Sequence, residues 1–193
     1  MTLAEAIAIV HDGAAGALVV HANGMISRAG FAQGDRPEHF YMIGSMGLAS
    51  SIGLGIALAR PARRVLVCDG DGNVLMNLGA LAQVAARRPE NLLHVCFDNG
   101  VHGSTGNQAT ISRTVALDEV ARAAGYTAVR RVETPAALRR TFVELCERPG
   151  PSFLLVRITP DLPDPPFPRV TIEPPDMTER FRAAAGRTGS QGR

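Results

Sequence analysis

The chain has 193 residues, of which 46% are hydrophobic and 20% charged, and its formal net charge is +2. This length and composition predict one globular domain that is large enough to bury a core. A charge this small, without a basic block or interleaved aromatic residues, excludes the footprint of a nucleic-acid-binding protein. All twenty basic residues are arginines, and the lack of lysine excludes a lysine Schiff base and the lysine of a P-loop.

The cysteines and the lengths of the apolar runs indicate the cellular compartment in which the protein is expected. Cys68, Cys96 and Cys146 are dispersed along the chain, and the first two lie in apolar runs. This usage is typical of buried thiols in a reducing cytoplasm. No apolar run approaches the roughly 18 residues of a membrane helix, and no signal-peptide pattern opens the sequence. We therefore expect a cytoplasmic protein without a membrane partner.

Hydrophobic periodicity predicts helices and strands that alternate along the chain. Helices are predicted at 3–11, after the loop at 22–28, and at 48–59, 74–87, 118–124 and 135–147, and strands at 17–21, 40–43, 64–68, 92–97, 127–132 and 152–158. Such alternation predicts an α/β fold in which a parallel sheet carries helices on both faces.

The composition changes near residue 160. Residues 160–175 are too rich in proline for a helix or strand and are predicted to run extended over the surface or onto a partner. A last helix is predicted at 177–185 and a loose tail at 186–193. We therefore expect a domain at 1–160 and a proline-rich C-terminal extension at 161–193.

Two polar residues follow neighbouring predicted strands. Asp71, in Gly70-Asp71-Gly72, lies between a strand and a helix, and Asn99 follows the next strand. Because the carboxyl ends of parallel strands meet at one edge of a sheet, the two side chains are expected to lie together. Carboxylate and amide oxygens suit Mg²⁺, which proteins usually hold with phosphate oxygens and water. The pair predicts a magnesium ion bound to a diphosphate.

The residues around Asp71 support this prediction. Gly72 lets the backbone approach an anion closely, and the following helix start offers free N–H groups, so phosphate is expected over Gly72 and Asn73. Gly72 and Asn99 enclose 26 residues, the length of a crossover helix and the next strand. Asp69 is the alternative ligand, but Asp71 is preferred because it lies between the glycines.

Gly-Asp-Gly followed after roughly 25 to 30 residues by an asparagine pair resembles the diphosphate-binding domain of thiamine-diphosphate enzymes. Asp98 stands where that family has the first asparagine, and Asn99 matches the second, which is the metal ligand. The resemblance implies thiamine diphosphate and Mg²⁺ as cofactors, with Asp71, Asn99 and the backbone carbonyl of Val101 as the metal ligands.

Segments 40–50, 70–79 and 100–108 look like those of phosphonopyruvate and sulfopyruvate decarboxylases. This resemblance implies that the Gly44 carbonyl and the Met46 N–H meet the aminopyrimidine ring, with Ser45 between them. The Met46 side chain would separate the two cofactor rings. The family also implies diphosphate contacts from Gly24 and Met25, and from the glycines that flank Asp71.

His102 lies three residues after Asn99, on a loop expected to wrap the reactive end of the cofactor. Its imidazole would bind the substrate anion or shuttle a proton, so His102 and Met46 are the expected catalytic residues. Ser104, Thr105, Asn107 and Gln108 would contact a second anionic group, or would only cap and order this loop.

Other polar residues leave alternatives open. Either Arg28 and Ser27 face an anionic substrate, or Arg28 is a solvated surface charge. The remaining histidines show no metal-type spacing and are expected to be incidental, with His94 a core residue; they are His11, His21, His39 and His94.

The resemblance implies decarboxylation of an anionic 2-oxo acid, either 3-phosphonopyruvate to phosphonoacetaldehyde or 3-sulfopyruvate to sulfoacetaldehyde. In the family the activating glutamate comes from a separate pyrimidine-binding domain, and no glutamate of this chain can be assigned to that role. We therefore expect a beta-type, diphosphate-binding subunit that forms a hetero-oligomer with an alpha-type subunit supplying the glutamate. Met46, Leu48 and Ile52 would form the contact.

Three other functions stay open. A carboligase subunit of the acetolactate-synthase kind would use the same cofactor half. A small oxoacid oxidoreductase subunit would pass electrons to an iron–sulfur cluster, for which the dispersed cysteines offer no motif. A non-catalytic partner protein would bind thiamine diphosphate without turning over a substrate.

Overall fold

The structure is a computed structural model that describes residues 1–161 and 165–186. The strands are β1 (Leu18–His21), β2 (His39–Tyr41), β3 (Val65–Gly70), β4 (Leu92–Asp98), β5 (Val101–His102), β6 (Gln108–Ala109), β7 (Ala128–Val132) and β8 (Ser152–Arg157). The helices are α1 (Leu3–Gly13), α2 (Met25–Ala32), α3 (Ala49–Ala59), α4 (Asp71–Met76), α5 (Gly79–Arg87), α6 (Leu117–Ala124), α7 (Pro135–Glu147) and α8 (Pro174–Gly186).

A six-stranded sheet in the order β2-β1-β3-β4-β8-β7 forms the centre, and all its neighbouring strands are parallel. β1, β3, β4 and β8 are buried along nearly their whole length, which explains their continuous apolar sequences. Helices α1, α2 and α7 pack together, as do α3, α5 and α6. The predicted α/β fold is confirmed.

The order of the strands indicates where on the sheet a ligand would bind. From β1 the chain moves outward to β2 and then returns to β3 on the other side of β1. Ligands of open α/β sheets bind at such a switch point, beyond the carboxyl ends of the strands. The loops after β1, β3 and β4 therefore bound the expected ligand site.

The helix predicted at 74–87 is two helices, which corrects the sequence prediction. Helix α4 already begins at Asp71, and the chain leaves helical geometry at Asn77, where φ is −149° and ψ is 64°. The Asn77 side chain donates to the Gly47 carbonyl oxygen at 3.1 Å. A Cβ on Gly47 would lie 3.1 Å from the Cβ of Met76. A tertiary contact therefore sets the break.

The C-terminal segment covers the outer strand. No helix or strand occurs in 158–161 or 165–173, as predicted, and α8 begins earlier than the predicted last helix. Met177 Sδ accepts the Tyr41 N–H at 3.1 Å, and Arg180 donates to the Asp35 carboxylate at 2.7 Å. Such contacts protect the edge of a sheet. The part of the predicted loose tail that follows Gly186 lies outside the described residues.

Within 1–161 and 165–186, no helix is both long and apolar enough to cross a membrane.

Replacement of Gly53 tests the close approach of α3 to β3. A Cβ at Gly53 would lie 2.2 Å from Val67 Cγ2, whereas a Cβ on the exposed Gly55 would meet nothing within 4 Å. Gly53→Ala is expected to lower the free energy of unfolding by about 1–3 kcal/mol through overpacking. Gly55→Ala is expected to leave it unchanged or raise it by up to about 1 kcal/mol. Urea unfolding measures both, and equal effects would contradict the packing.

Candidate active site

A cavity lies at the carboxyl edge of the sheet, beside the switch point between β1 and β3. Its described lining residues are Leu3, Asn23, Met25, Ile26, Met46, Gly70, Asp71, Gly72, Asn73, Phe97, Asn99, Val101, His102, Gly103, Ser104 and Ile158. Most of the predicted site residues are in this set. Segments that are far apart in sequence meet here because parallel strands end at the same edge.

Three predicted residues lie outside this lining. Gly44 and Ser45 border a neighbouring cavity beside α8, together with Met177. Gly24 precedes α2 with φ at 80°, and a Cβ there would lie 3.6 Å from the Ser104 side chain.

Sequence reasoning missed part of the lining. Phe97 and Ile158 follow the same rule as Asp71, because each lies at the end of a strand, so the strand pattern could have indicated them. Leu3, at the start of α1, had no signal in the sequence and is brought to the cavity by the packing of α1.

Asp71 is the first residue of α4 and is 3% exposed. Burial raises its pKa above the ordinary value, the Thr110 hydroxyl lowers it by donating a hydrogen bond, and the negative charge of Asp98 raises it further. The Thr110 Oγ1 to Asp71 Oδ2 distance is 2.5 Å. Hydrogen bonds from Ser112 and from the Gly72 backbone also lower the pKa, but the net shift is upward, and no cationic side chain is among the described lining residues.

A polar network joins Asp71 to the loop that carries Asn99. Ser112 Oγ lies 3.0 Å from Thr110 Oγ1 and donates to Asp98 Oδ1 at 2.8 Å. Arg157 donates to the other Asp98 oxygen at 2.6 Å. Asp98 is 1% exposed, and the guanidinium of Arg157, at the end of β8, balances the charge of its carboxylate.

The backbone after β4 is fixed by its own side chains. Asp98 Oδ1 accepts the Gly100 N–H at 3.1 Å, and Asn99 Oδ1 accepts the Val101 N–H at 3.0 Å. Gly100 has φ at 74°, a conformation that favours glycine. Asn99 and Val101 are thereby held at the cavity wall.

The alternative ligand Asp69 is engaged elsewhere. Its Oδ2 lies 3.0 Å from His94 Nε2, and its Oδ1 accepts the Gly70 N–H at 2.9 Å. His94 is fully buried and also lies 3.2 Å from the Tyr126 hydroxyl. His94 is therefore a satisfied core residue, as expected.

Asn73 ties three loops together at the cavity. Its Oδ1 accepts the Gly47 N–H, and its Nδ2 donates to Asn23 Oδ1 at 3.2 Å. The loop after β1, the start of α4 and the loop before α3 are therefore joined by the hydrogen bonds of one side chain.

Gly72, His102 and Met46 meet inside the cavity. A Cβ on Gly72 would lie 2.7 Å from His102 Cε1 and 3.3 Å from Met46 Cε. The missing side chain therefore lets the His102 ring and the Met46 methyl group approach the backbone of Gly72.

Ser27 and Arg28, the other residues considered for contact with an anionic substrate, do not line the cavity. Ser27 is buried and its Oγ lies 2.8 Å from the Ala22 carbonyl oxygen and 2.9 Å from that of Met42. The expectation that Ser27 faces a substrate is therefore wrong, because this hydroxyl links the ends of β1 and β2. Arg28 is half-buried and is not in the cavity lining.

The loop after His102 divides into two parts. Ser104 borders the cavity, whereas Thr105, Asn107 and Gln108 are exposed. Thr105 donates to Gln108 at 2.7 Å, so these two side chains order the loop.

The charge of the cavity is unusual for an anion site. Among the described lining residues there is no arginine and no glutamate, and Asp71 is the acidic group. An anion and a buried carboxylate repel each other, so both are accommodated only when a cation lies between them.

A family model matches residues 22–156, and its description is thiamine pyrophosphate enzyme, C-terminal TPP binding domain. The chain belongs to the thiamine pyrophosphate enzyme family. This membership confirms the expected cofactor, thiamine diphosphate. The matched residues include the ends of β1, β3 and β4 that bound the cavity.

Relatives with curated names share much of the chain. It is 44% identical over 86% of its length to "Phosphonopyruvate decarboxylase" of Streptomyces viridochromogenes, of which it covers 42%. It is 40% identical over 85% of its length to "Sulfopyruvate decarboxylase subunit beta" of Methanothermobacter thermautotrophicus, of which it covers 84%. The chain thus spans less than half of the first relative and most of the second.

The fold also matches a solved structure of a larger enzyme. Benzoylformate decarboxylase from Polynucleobacter necessarius superposes with a TM-score of 0.65 at 17% identity, over 82% of this chain and 33% of that chain. This likeness supports the fold.

The residues present fit thiamine diphosphate bound through a metal ion. Asp71, Asn99 and the Val101 carbonyl offer hard oxygen atoms, which suit Mg²⁺, and a dication resolves the repulsion between Asp71 and a diphosphate. The His102 ring and the Met46 side chain lie close over the backbone of Gly72.

Replacement of Asp98 and Arg157 tests the network that holds the two strand ends. Arg157→Met leaves a buried carboxylate without its cation, and we expect a loss of about 3 kcal/mol in the free energy of unfolding. Asp98→Asn restores the family's amide, so adding it to Arg157→Met is expected to recover at least about 1 kcal/mol. Urea unfolding of the four proteins measures this coupling. Additive effects, within about 0.5 kcal/mol, would contradict it.

Gly72→Ala tests the close packing of the His102 ring against the backbone of Gly72. The added Cβ would collide with the His102 ring, so we expect at least tenfold weaker thiamine diphosphate binding by calorimetry. Gly55→Ala, which is distant from the cavity, is the control and should bind as the parent chain does.

Proposed function

We propose that this chain is the diphosphate-binding subunit of a thiamine-diphosphate- and Mg²⁺-dependent decarboxylase that acts on an anionic 2-oxo acid. The observation that carries the proposal is Asp71, a buried carboxylate without a cationic side chain among the described residues around it, at the edge where a diphosphate would bind. The names and extents of the relatives agree with it, because one of them is a beta subunit of nearly the same length.

Asp71, Asn99 and the Val101 carbonyl would hold the metal ion. Thr110 and Ser112 keep the Asp71 carboxylate and the Asp98 loop in register. Gly70, Gly72 and Asn73 would lie beneath the diphosphate, with Gly24 and Met25 on the opposite side.

Met46 would support the cofactor between its two rings. Its side chain lines the cavity, and the adjacent Ser45 adopts a positive φ of 59°. The Gly44 carbonyl and the Met46 N–H would then hydrogen-bond the aminopyrimidine. Bound thiamine diphosphate supplies the electron sink that decarboxylation requires.

His102 is the imidazole at the cavity wall and would bind the substrate anion or move a proton at the reacting carbon. Ser104 would contact the distal anion. The substrate would be 3-phosphonopyruvate or 3-sulfopyruvate, giving phosphonoacetaldehyde or sulfoacetaldehyde, because both acids carry the second anion that such contacts recognise.

The activating glutamate would come from a pyrimidine-binding partner subunit. None of the described cavity-lining residues is a glutamate. Large apolar side chains are exposed on the loop before α3, around the α4–α5 break and near residue 111; they are Ile43, Met46, Leu48, Met76, Leu78 and Ile111. An apolar surface beside an incomplete site is typical of a subunit interface. Ile52, also expected at this contact from the sequence, is half-buried and borders the cavity beside α8 together with Ile43.

Asp71→Ala tests the metal–diphosphate assignment. Titration of the chain with thiamine diphosphate, with and without Mg²⁺ and with the candidate partner, should show binding that needs both Mg²⁺ and Asp71. We expect affinity to fall at least 100-fold in Asp71→Ala, because the ligand of the bridging ion is removed. The exposed Asp12, replaced by alanine, is the matched control. Metal-independent binding, or binding retained by Asp71→Ala, would overturn the assignment.

Turnover tests the partner and the substrate. The chain is mixed with a co-expressed pyrimidine-binding polypeptide encoded beside it, and CO₂ release from each oxo acid is followed. We expect release only from the mixture, and loss of at least tenfold in kcat for His102→Gln. Turnover by the chain alone would contradict the partner, and acetolactate formed from pyruvate would indicate a carboligase.

A further inference from the structure

Three histidines from three elements meet in the interior, away from the cofactor cavity. His11 lies in α1, His21 ends β1 and His39 begins β2, and their exposed fractions are 3%, 0% and 1%. One potential ligand atom of each lies within 4.8 Å of those of the other two. The expectation that these histidines are incidental is therefore corrected, because the fold assembles what their spacing did not reveal.

The β-sheet register brings two of these rings to one face. β1 and β2 are parallel, with Val19 opposite His39 and His21 opposite Tyr41. Side chains alternate between faces along a strand, so His21 and His39 point to the same side, where α1 brings His11. The ring centroids of His11 and His39 are 4.6 Å apart.

Each imidazole in this cluster is held neutral. Burial is the main cause that lowers the pKa of His11 to about 4 and that of His39 to about 3. Arg36 lowers the pKa of both further, and His11 also lowers that of His39. Burial also lowers the pKa of His21. Neutral imidazole is the form that binds a metal.

The hydrogen bonds of the cluster are incomplete. His11 Nε2 lies 2.8 Å from His21 Nε2, and the Nδ1 atom of His11 has no partner in the described part of the chain. His94, the other fully buried histidine discussed above, has partners for both nitrogens. Between the neutral rings of His11 and His21, one of the two Nε2 atoms must be the protonated donor of their contact, so a metal ion bound between them would replace a single hydrogen bond by two nitrogen–metal bonds.

We propose that His11, His21 and His39 form a second metal site, which binds one transition-metal dication of the zinc class. Imidazole nitrogens suit Zn²⁺, whereas Mg²⁺ prefers oxygen. The two sites of the molecule would therefore select different ions. This proposal does not rest on the decarboxylase activity.

The geometry requires a small adjustment. Two nitrogens at about 2.0–2.1 Å from a tetrahedral Zn²⁺ lie roughly 3.3 Å apart, so the His11 to His21 contact of 2.8 Å opens by about half an ångström. His39 Nδ1 lies 3.2 Å from the Tyr41 hydroxyl, which leaves its Nε2 for the ion and orients the ring as bonded partners of metal-bound histidines do. The fourth position would hold water.

The surrounding charges are balanced rather than acidic. Arg36 lies near His11 and His39, Arg180 lies near His39, and the opposing carboxylates are Asp12 and Asp35. Arg180 is paired with Asp35. The ion would thus be held by nitrogen lone pairs, and its affinity would depend on all three rings.

A bound ion would connect the edge of the sheet to the cofactor loop. His21 precedes Asn23, which lines the cavity and bonds to Asn73. Gly30 leaves room for the ring, since a Cβ there would lie 2.4 Å from His21 Cδ2. The site would be structural, because its residues are buried.

Metal content and cobalt titration of the untagged chain, without thiamine diphosphate and in Mg²⁺ buffer, test the site. We expect about one equivalent of Zn²⁺ or Co²⁺ per chain, and X-ray absorption of the zinc form should show three imidazole nitrogens at about 2.0–2.1 Å. Zn²⁺ should also raise the thermal unfolding midpoint of the parent chain.

His11→Gln and His39→Gln are expected to weaken Co²⁺ binding more than the 10- to 100-fold that loss of a supporting partner costs. His102 lies outside the cluster, so His102→Gln is the control and should still bind about one equivalent of metal per chain. Less than about 0.1 equivalent in the parent chain, oxygen-dominated zinc coordination, or binding lost in His102→Gln would overturn the proposal. The absorption spectrum of the parent chain decides this even if a cluster variant does not fold.

Discussion

Asp71 places a negative charge inside a cavity whose described walls carry no arginine, at the edge of the sheet where the fold binds anions. Burial raises its pKa, so the ionised form needs a counter-charge. In the proposed site a metal ion shared with a diphosphate would supply that charge. Asn99, which lines the same cavity, would be the second oxygen donor.

The positions of Asp71 and of the loop after β4 depend on residues outside the cavity lining. Thr110 and Ser112 join the carboxylates of Asp71 and Asp98, and Arg157 neutralises the latter from β8. The substitution of aspartate for the family's asparagine at 98 thus comes with its own cation. A buried ion pair such as Asp98 and Arg157 fixes the positions of its side chains more reliably than it raises the free energy of unfolding.

The molecule carries two polar assemblies with different chemistry. The cavity presents hard oxygen atoms at the carboxyl ends of β3 and β4, whereas the histidine cluster presents nitrogen atoms between α1, β1 and β2. Both are attached to the loop after β1, the first through Asn73 and Asn23. Exposed apolar side chains on the loop before α3 and around the α4–α5 break mark the surface on which the proposed partner subunit would bind.

The sequence by itself determined the α/β class, most element positions and the pair Asp71 and Asn99, because hydrophobic periodicity and strand-end residues are local signals. Tertiary structure decided the break at Asn77, the burial of Ser27, the Arg157 partner of Asp98 and the meeting of His11, His21 and His39. These features depend on contacts between segments far apart in the chain. No periodicity or spacing encodes which distant residues the packed sheet and helices bring within a few ångströms.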